Sequence, residues 1–373
     1  MRLTLPQTLL TALMLTAAVT ACAQTQTGPQ TLASGLDHPW SLAFLPDGRI
    51  LISERPGHLR MVENGELRAE PVAGLPPVHV RGQAGLFDLL PAKDFASSHW
   101  LYFSYAHGNA KSSTTRVARA KLIDNALTDL QVLFTAKAMR DTSAHYGGRL
   151  GWLADGSLLL TLGDGFDSRE RAQALDDHFG KIIRINADGS VPKDNPFVGQ
   201  ADAQPEIYSY GHRNVQGLVV ITAADGSEQI YAHEHGPRGG DELNRILPGK
   251  NYGWPLATFG IDYSGAQISP FSELDNTQAP LLHWTPSIAP GGLAYYNDIR
   301  FPAWQGSFFV AALAERSLRQ VRLNADGSNQ QTKLLDELGE RLRDVRVGPD
   351  GALYLLTDSD NGRLLRVSPP AGT

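Results

Sequence analysis

Six times along the chain an apolar, strand-like run passes through a short polar turn into a second apolar run. The copies are SLAFLPDGRILISER (41–55), AGLFDLLPAKDFASSHWLYFSYA (84–106), RLGWLADGSLLLTLGD (149–164), QGLVVITAADGSEQIYAHEHG (216–236), GLAYYNDIRFPAWQGSFFVAALAE (292–315) and DVRVGPDGALYLLTDSD (344–360). More strand-like sequence lies between them. A strand pair that repeats in this way predicts an all-β chain, a six-bladed β-propeller of four-stranded antiparallel blades. In each hairpin the entrance to the first strand and the exit from the second share one end. The unusual polar residues of the chain stand at those entrances and exits.

The segments between the pairs fit the same plan. Residues 113–136 read as two outer strands around a turn at Asp124-Asn125-Ala126. GKIIRINADGSVP (180–192) and VRLNADGSNQ (321–330) are near copies, each ending a strand in an ADGS turn, so they predict equivalent outer strands of two blades. The Asp-Gly pairs at 47–48, 155–156 and 350–351 connect strand pairs, because glycine accepts the positive φ such turns need. These turns are expected on the face opposite the functional one. Asp167-Ser168 reads as a helix N-cap before the short helix RERAQAL. One propeller domain is expected over 35–370, preceded by a polar tether at 22–34.

Composition narrows the function. The net charge of −6 argues against nucleic acid as a partner, since phosphate binding needs a basic surface. Cys22 is the one cysteine, so no intrachain disulfide forms. Arg2 followed by an uncharged run to Ala21 is an export-type segment, and Val19-Thr20-Ala21-Cys22 matches a bacterial lipobox. Residues 1–21 are thus read as a lipoprotein-type signal peptide, with a lipid anchor at Cys22 as the one link to a membrane. This places the protein in the bacterial envelope, in the periplasm and at the outer membrane. Ordinary signal cleavage after Ala21-Cys22-Ala23, giving a soluble periplasmic or secreted product, is the alternative.

The chemistry-bearing residues gather at one end of the strand pairs. Gln83 precedes the second pair. His145 and Tyr146 precede the third, and Asp164 follows it. His212, Arg213 and Asn214 precede the fourth, with HEHGP (233–237) after it. Arg341 and Arg343 precede the sixth. Closing a ring brings these segments around one axial mouth, where a base, a carboxylate, amides and several cations suit an anionic ligand and a proton transfer. His233-x-His235 puts two rings on one strand face, a candidate metal pair without a clear third ligand. HEHGPRGGDELN (233–244) crowds glycines, carbonyls and carboxylates together, which suits hard Ca²⁺.

RGQAGLFD (81–88), SAHYGGRL (143–150), LGDG (162–165), YGHRNVQGL (210–218), HEHGPRGGDELN (233–244), NYGWP (251–255) and RLRDVRVGPDG (341–351) together resemble the soluble PQQ-dependent aldose sugar dehydrogenases, the glucose/sorbosone dehydrogenase-like family. The match runs in order from about residue 31 to the C-terminus. It implies an enzyme that oxidises an aldose at its anomeric carbon to a lactone and passes electrons to a quinone or soluble acceptor. It implies His145 as the base, oriented by Asp164, with Arg213 and Asn214 on the quinone oxygens of PQQ. Gln83, Tyr263, Arg341 and Arg343 would hold the cofactor, together with the stretch Ala312-Leu313-Ala314. One Ca²⁺ would bridge the Gly236 and Pro237 carbonyls to PQQ, and a structural Ca²⁺ would use Glu242 and the Tyr252 region. The family often carries a lysine for a PQQ carboxylate where this chain has Ala312-Leu313-Ala314, and Arg316 stands nearby as a substitute. A calcium-dependent lactonase of the same fold leaves the ring of cations and amides unexplained. A non-catalytic envelope propeller leaves the His–Asp pair without a purpose. The sugar and the oligomeric state are not fixed by these residues.

Overall fold

The computed structural model describes residues 28–223 and 225–368. The export segment, Cys22 and the first part of the tether lie outside the described residues. Six four-stranded antiparallel sheets follow one another along the chain. Their innermost strands are Pro39–Phe44, Leu86–Pro91, Leu150–Trp152, Val215–Thr222, Pro290–Tyr296 and Leu342–Val347, each contacting the next around a common axis, and the last meeting the first. This is the expected six-bladed propeller.

Ring closure departs from the sequence reading. Gln30–Leu36, which overlaps the tether assigned to 22–34, is the outermost strand of blade six and pairs antiparallel with Gly362–Val367. Its burial explains the difference. Only Ala33 and Leu36 are buried in this strand, so the segment has little apolar pattern, and its partner lies at the other end of the chain.

The third strands of blades three and five are Lys181–Ile185 and Ser317–Leu323, the two ADGS near-copies, and they are equivalent. The strands at Ser112–Ile123 and Ala126–Thr135 match the pair expected over 113–136. Gly48, Gly156 and Gly351 adopt φ of +89°, +86° and +77° in the hairpin turns, as the Asp-Gly pairs require. The expected helix over RERAQAL is instead a 3-10 turn at Arg169–Gln173, and Ser168 makes no side-chain cap. With no cap and one turn of length there is little to hold an α-helix.

Blade-to-blade packing is apolar, as in the cluster of Leu86, Phe103 and Leu89 with Leu51 and Met61. The axis itself is ionic. Arg149 Nη1 meets Asp344 Oδ1 at 3.0 Å, and Arg346 bridges Asp88 at 2.8 Å and Asp344 at 3.1 Å. Ser41 Oγ and the Leu150 N–H donate to Asp88, and the Leu42 N–H donates to Asp344. The Arg149 guanidinium lies 4.1 Å from the Trp40 ring centroid. These contacts tie blades one, two, three and six together.

Candidate functional site

A cavity of about 300 Å³ opens at the shared end of the hairpins. All six blades line it. Blade one gives Trp40 and Arg55, blade two Gln83 and Phe87, and blade three Tyr146 and Gly147. Blade four gives Asn214, Gln216 and His235, blade five Ala289 and Leu313, and blade six Arg341, Arg343 and Asp358. Trp40, Phe87 and Tyr146 pack in sequence, with centroids 5.4 and 5.8 Å apart, and form an aromatic flank. Arg341 and Arg343 both reach Asp358 Oδ2, at 3.0 and 3.1 Å. The Nε of Arg343 is buried without a hydrogen-bond partner, a donor left over for a ligand.

His145 lies beside this cavity and is 4 % exposed. Its Nδ1 is 2.6 Å from Asp164 Oδ1. Asp164 is an acceptor throughout: the Phe166 N–H donates to Oδ1 at 2.8 Å and Trp254 Nε1 to Oδ2 at 2.8 Å. The proton therefore sits on Nδ1 and leaves Nε2 basic. Gln83 Oε1 accepts the His145 N–H at 2.8 Å, and Arg140 donates to the His145 carbonyl. His145 adopts φ +54°, a costly conformation held by these contacts. A Cβ at Gly163 would stand 2.2 Å from the His145 carbonyl oxygen, so only glycine fits beside the base. Burial is the main cause holding the imidazole below its ordinary pKa; Asp164 opposes, and Arg213 and Arg140 add to the lowering. The carboxyl of Asp164 is held below its usual range: burial opposes this, and the hydrogen bond from His145 with the charge of Arg213 outweighs it.

Arg213 stands at a second cavity of about 280 Å³, shared with Phe166, Trp254, Pro237 and Tyr263. Its Nη1 donates to the carbonyls of His235 (3.0 Å) and Gly236 (2.6 Å), and its guanidinium lies 5.3 Å from the Trp254 ring. Tyr263 is 59 % exposed and lines this second cavity, not the one holding Gln83, Arg341 and Arg343. Asn214 Oδ1 accepts from the Gly147 N–H at 3.2 Å. Of Ala312-Leu313-Ala314, only Leu313 lines the axial cavity; Ala312 is packed in a blade core and Ala314 is exposed. Arg316 is turned to the Gly339 carbonyl at 3.2 Å and takes no part in the lining.

The His233-x-His235 pair is not arranged as metal ligands. His233 Nε2 is 3.2 Å from the Gly292 carbonyl and His235 Nε2 is 2.8 Å from that of Pro290. Both rings therefore donate to blade five and pin it to blade four. Burial pushes His233 down to about 3.

Glu242 lies with Glu234, Gly236, Tyr252 and Thr258 around a small recess. Burial, with the neighbouring Glu234, pushes the Glu242 carboxyl up to about 8. Asn244 donates to both carboxylates, and its own side-chain oxygen is buried without a partner. Among the described residues no group of three or more His, Cys, Asp or Glu could hold a metal ion. The recess instead combines two carboxylates with amide and backbone oxygens, donors that suit calcium.

Sequence reasoning did not find Trp40, Arg55, Phe87, Gln216 or Asp358 as cavity residues. Each is an ordinary residue type at a hairpin end, and only ring closure gathers them.

A family model described as Glucose / Sorbosone dehydrogenase matches residues 36–366. The aldose sugar dehydrogenase YliI of Escherichia coli K12 is 42% identical over 346 residues, covering 91% of this chain and 92% of the relative. The crystal structure of the soluble aldose sugar dehydrogenase from Escherichia coli in the apo-form superposes with a TM-score of 0.87 at 40% identity, over 92% of this chain and 99% of that one. The PQQ-bound aldose sugar dehydrogenase from Streptomyces coelicolor superposes with a TM-score of 0.74 at 29% identity, over 91% and 97%. By these matches and by its fold, the chain belongs to the glucose/sorbosone dehydrogenase family.

Proposed function

We propose that the protein is a PQQ- and calcium-dependent dehydrogenase that oxidises aldoses at the anomeric carbon to lactones. The observation that carries this reading is the buried His145–Asp164 pair beside a cavity with one aromatic flank and a cationic wall. The residues fit the cofactor. A planar tricarboxylate matches the Trp40–Phe87–Tyr146 flank, the arginines of blade six and the unpartnered Nε of Arg343. Gln83, Asn214 and Arg341 would hold it alongside. Bound PQQ would supply the hydride acceptor. The chain's own part is to move the proton. His145 Nε2 takes the anomeric hydroxyl proton, while Asp164 holds the ring and offsets the imidazolium charge. Arg213 supplies positive charge where negative charge develops. The apolar walls from Phe87 and Leu313 exclude water.

The calcium assignment rests on the oxygen-rich recess and on the raised Glu242 carboxyl, whose charge a dication would stabilise. The Gly236 carbonyl, already accepting from Arg213, has a second lone pair for a cation shared with Pro237. Adding Ca²⁺ to chelator-treated protein at pH 7 is expected to raise the melting temperature. The gain is on the order of 2.7 kcal/mol at a hundredfold excess over Kd. Glu242→Gln should lose most of that calcium-dependent gain in a thermal melt. An equal gain in the variant would remove Glu242 from the site.

The function itself is tested by adding PQQ and Ca²⁺ to the apo-protein, then an aldose, and following the cofactor's absorbance. Reduction of the bound quinone, with lactone as product, is the expected result. An unchanged spectrum on mixing would leave a propeller without this activity.

A further inference from the structure

We propose that Arg55, at the exit of the second strand of blade one, is the third cation of the axial cavity and binds a carboxylate of the polycarboxylate ligand. This rests on the PQQ reading above. It answers a gap in blade five, which presents only Ala289 and Leu313 to the cavity, while Arg316 is engaged elsewhere.

The charge balance of the wall points to Arg55. Arg341 and Arg343 share the single carboxylate of Asp358, so that acid is already committed to two guanidinium groups. Arg55 lines the same cavity and makes no ion pair among the described residues. Its one side-chain hydrogen bond there is from Nη1 to the Gly82 carbonyl at 2.7 Å. A guanidinium has five N–H donors, so a carboxylate can still be taken by the remaining edge. Three guanidiniums against one carboxylate leave this wall positive in a chain of net charge −6. Burial, opposed by Asp358 and reinforced by Arg343, holds the Arg55 group below its ordinary value. A bound anion would relieve that cost.

Arg55 is also held in place before any ligand arrives. Its N–H donates to the His38 carbonyl at 3.0 Å, and its carbonyl accepts from the Leu86 N–H at 3.1 Å. Its side-chain stem runs over Gly85, where a Cβ would stand 2.5 Å from Arg55 Cγ. Blade two thus leaves a gap through which this side chain passes. A cation fixed in advance loses little entropy on binding.

The test is titration of PQQ into calcium-loaded apo-protein, read by absorbance or tryptophan quenching, for wild type, Arg55→Gln and Arg55→Lys. Removing a charge-assisted hydrogen bond is expected to weaken PQQ by about 10- to 100-fold in Arg55→Gln. Arg55→Lys should recover part of the loss. The slope of log Kd against log salt should be shallower for Arg55→Gln than for wild type, a readout that misfolding does not imitate. Thermal melts of the three proteins serve as the fold control. If wild type binds PQQ and Arg55→Gln binds it equally, with the same salt slope, the inference about Arg55 is overturned and the function reading stands. If wild type binds no PQQ, the function reading fails and takes the Arg55 assignment with it.

Discussion

His145→Ala is expected to lower the rate of quinone reduction by an aldose about 10²–10⁴-fold, the usual worth of a positioned general base, while PQQ still binds. The cavity's arginines and amides do not depend on the imidazole, so affinity and turnover should separate. The pH profile gives an independent check. His145 acts in its neutral form, so activity is present above its pKa and lost as the pH falls through it. Burial places that pKa below the ordinary 6.5, so wild-type activity should persist into mildly acidic solution. Asp164 opposes that lowering, and Asp164→Asn removes its contribution. The acidic limb should then move to still lower pH. The plateau rate should fall as well, because the asparagine amide no longer fixes the proton on Nδ1. Stopped-flow reduction of bound PQQ measures all three proteins. A His145→Ala variant that reduces its quinone at the wild-type rate would show that the proton goes elsewhere.

The hairpins were legible because their physics is local. Apolar runs such as ILISER (50–55) and the Asp-Gly turns at Gly48, Gly156 and Gly351 need only neighbours in sequence. The gathering of His145, Asp164, Arg213 and Asn214 was legible for a different reason: hairpin ends share one side of any closed ring. What could not be read depends on pairing across the ring. Gln30–Leu36 looked like a tether because an outermost strand buries little. His233 and His235 looked like a metal pair because their true partners, the carbonyls of Gly292 and Pro290, carry no sequence signal. Glu242 and Tyr252 were assigned through the family resemblance, and the structure places them in one recess with a second carboxylate, Glu234.

The axial charges carry the largest expected effect on stability. Asp344→Ala is expected to cost about 3–5 kcal/mol, the range for breaking a buried ion pair by removing one partner. Asp344 is wholly buried and faces both Arg149 and Arg346. Its loss leaves two guanidiniums on the single carboxylate of Asp88 and takes the acceptor from the Leu42 N–H. The two arginines show how closely the site is balanced. For Arg149 burial outweighs Asp344 and Asp88 and lowers its pKa, whereas for Arg346 the same two carboxylates outweigh burial and raise it. Arg149 is the more exposed to the loss, since it also stacks on Trp40 in the cavity wall and donates through Nε to the Gln216 carbonyl. Loosening it should therefore weaken ligand binding as well as stability. Urea denaturation followed by circular dichroism measures the first, and PQQ titration of the folded variant the second. Combining Asp344→Leu with Arg346→Leu should cost less than the two single changes added together, because no charge is then left facing an absent partner. A midpoint for Asp344→Ala equal to that of wild type would mean that the channel is held by its apolar blades alone.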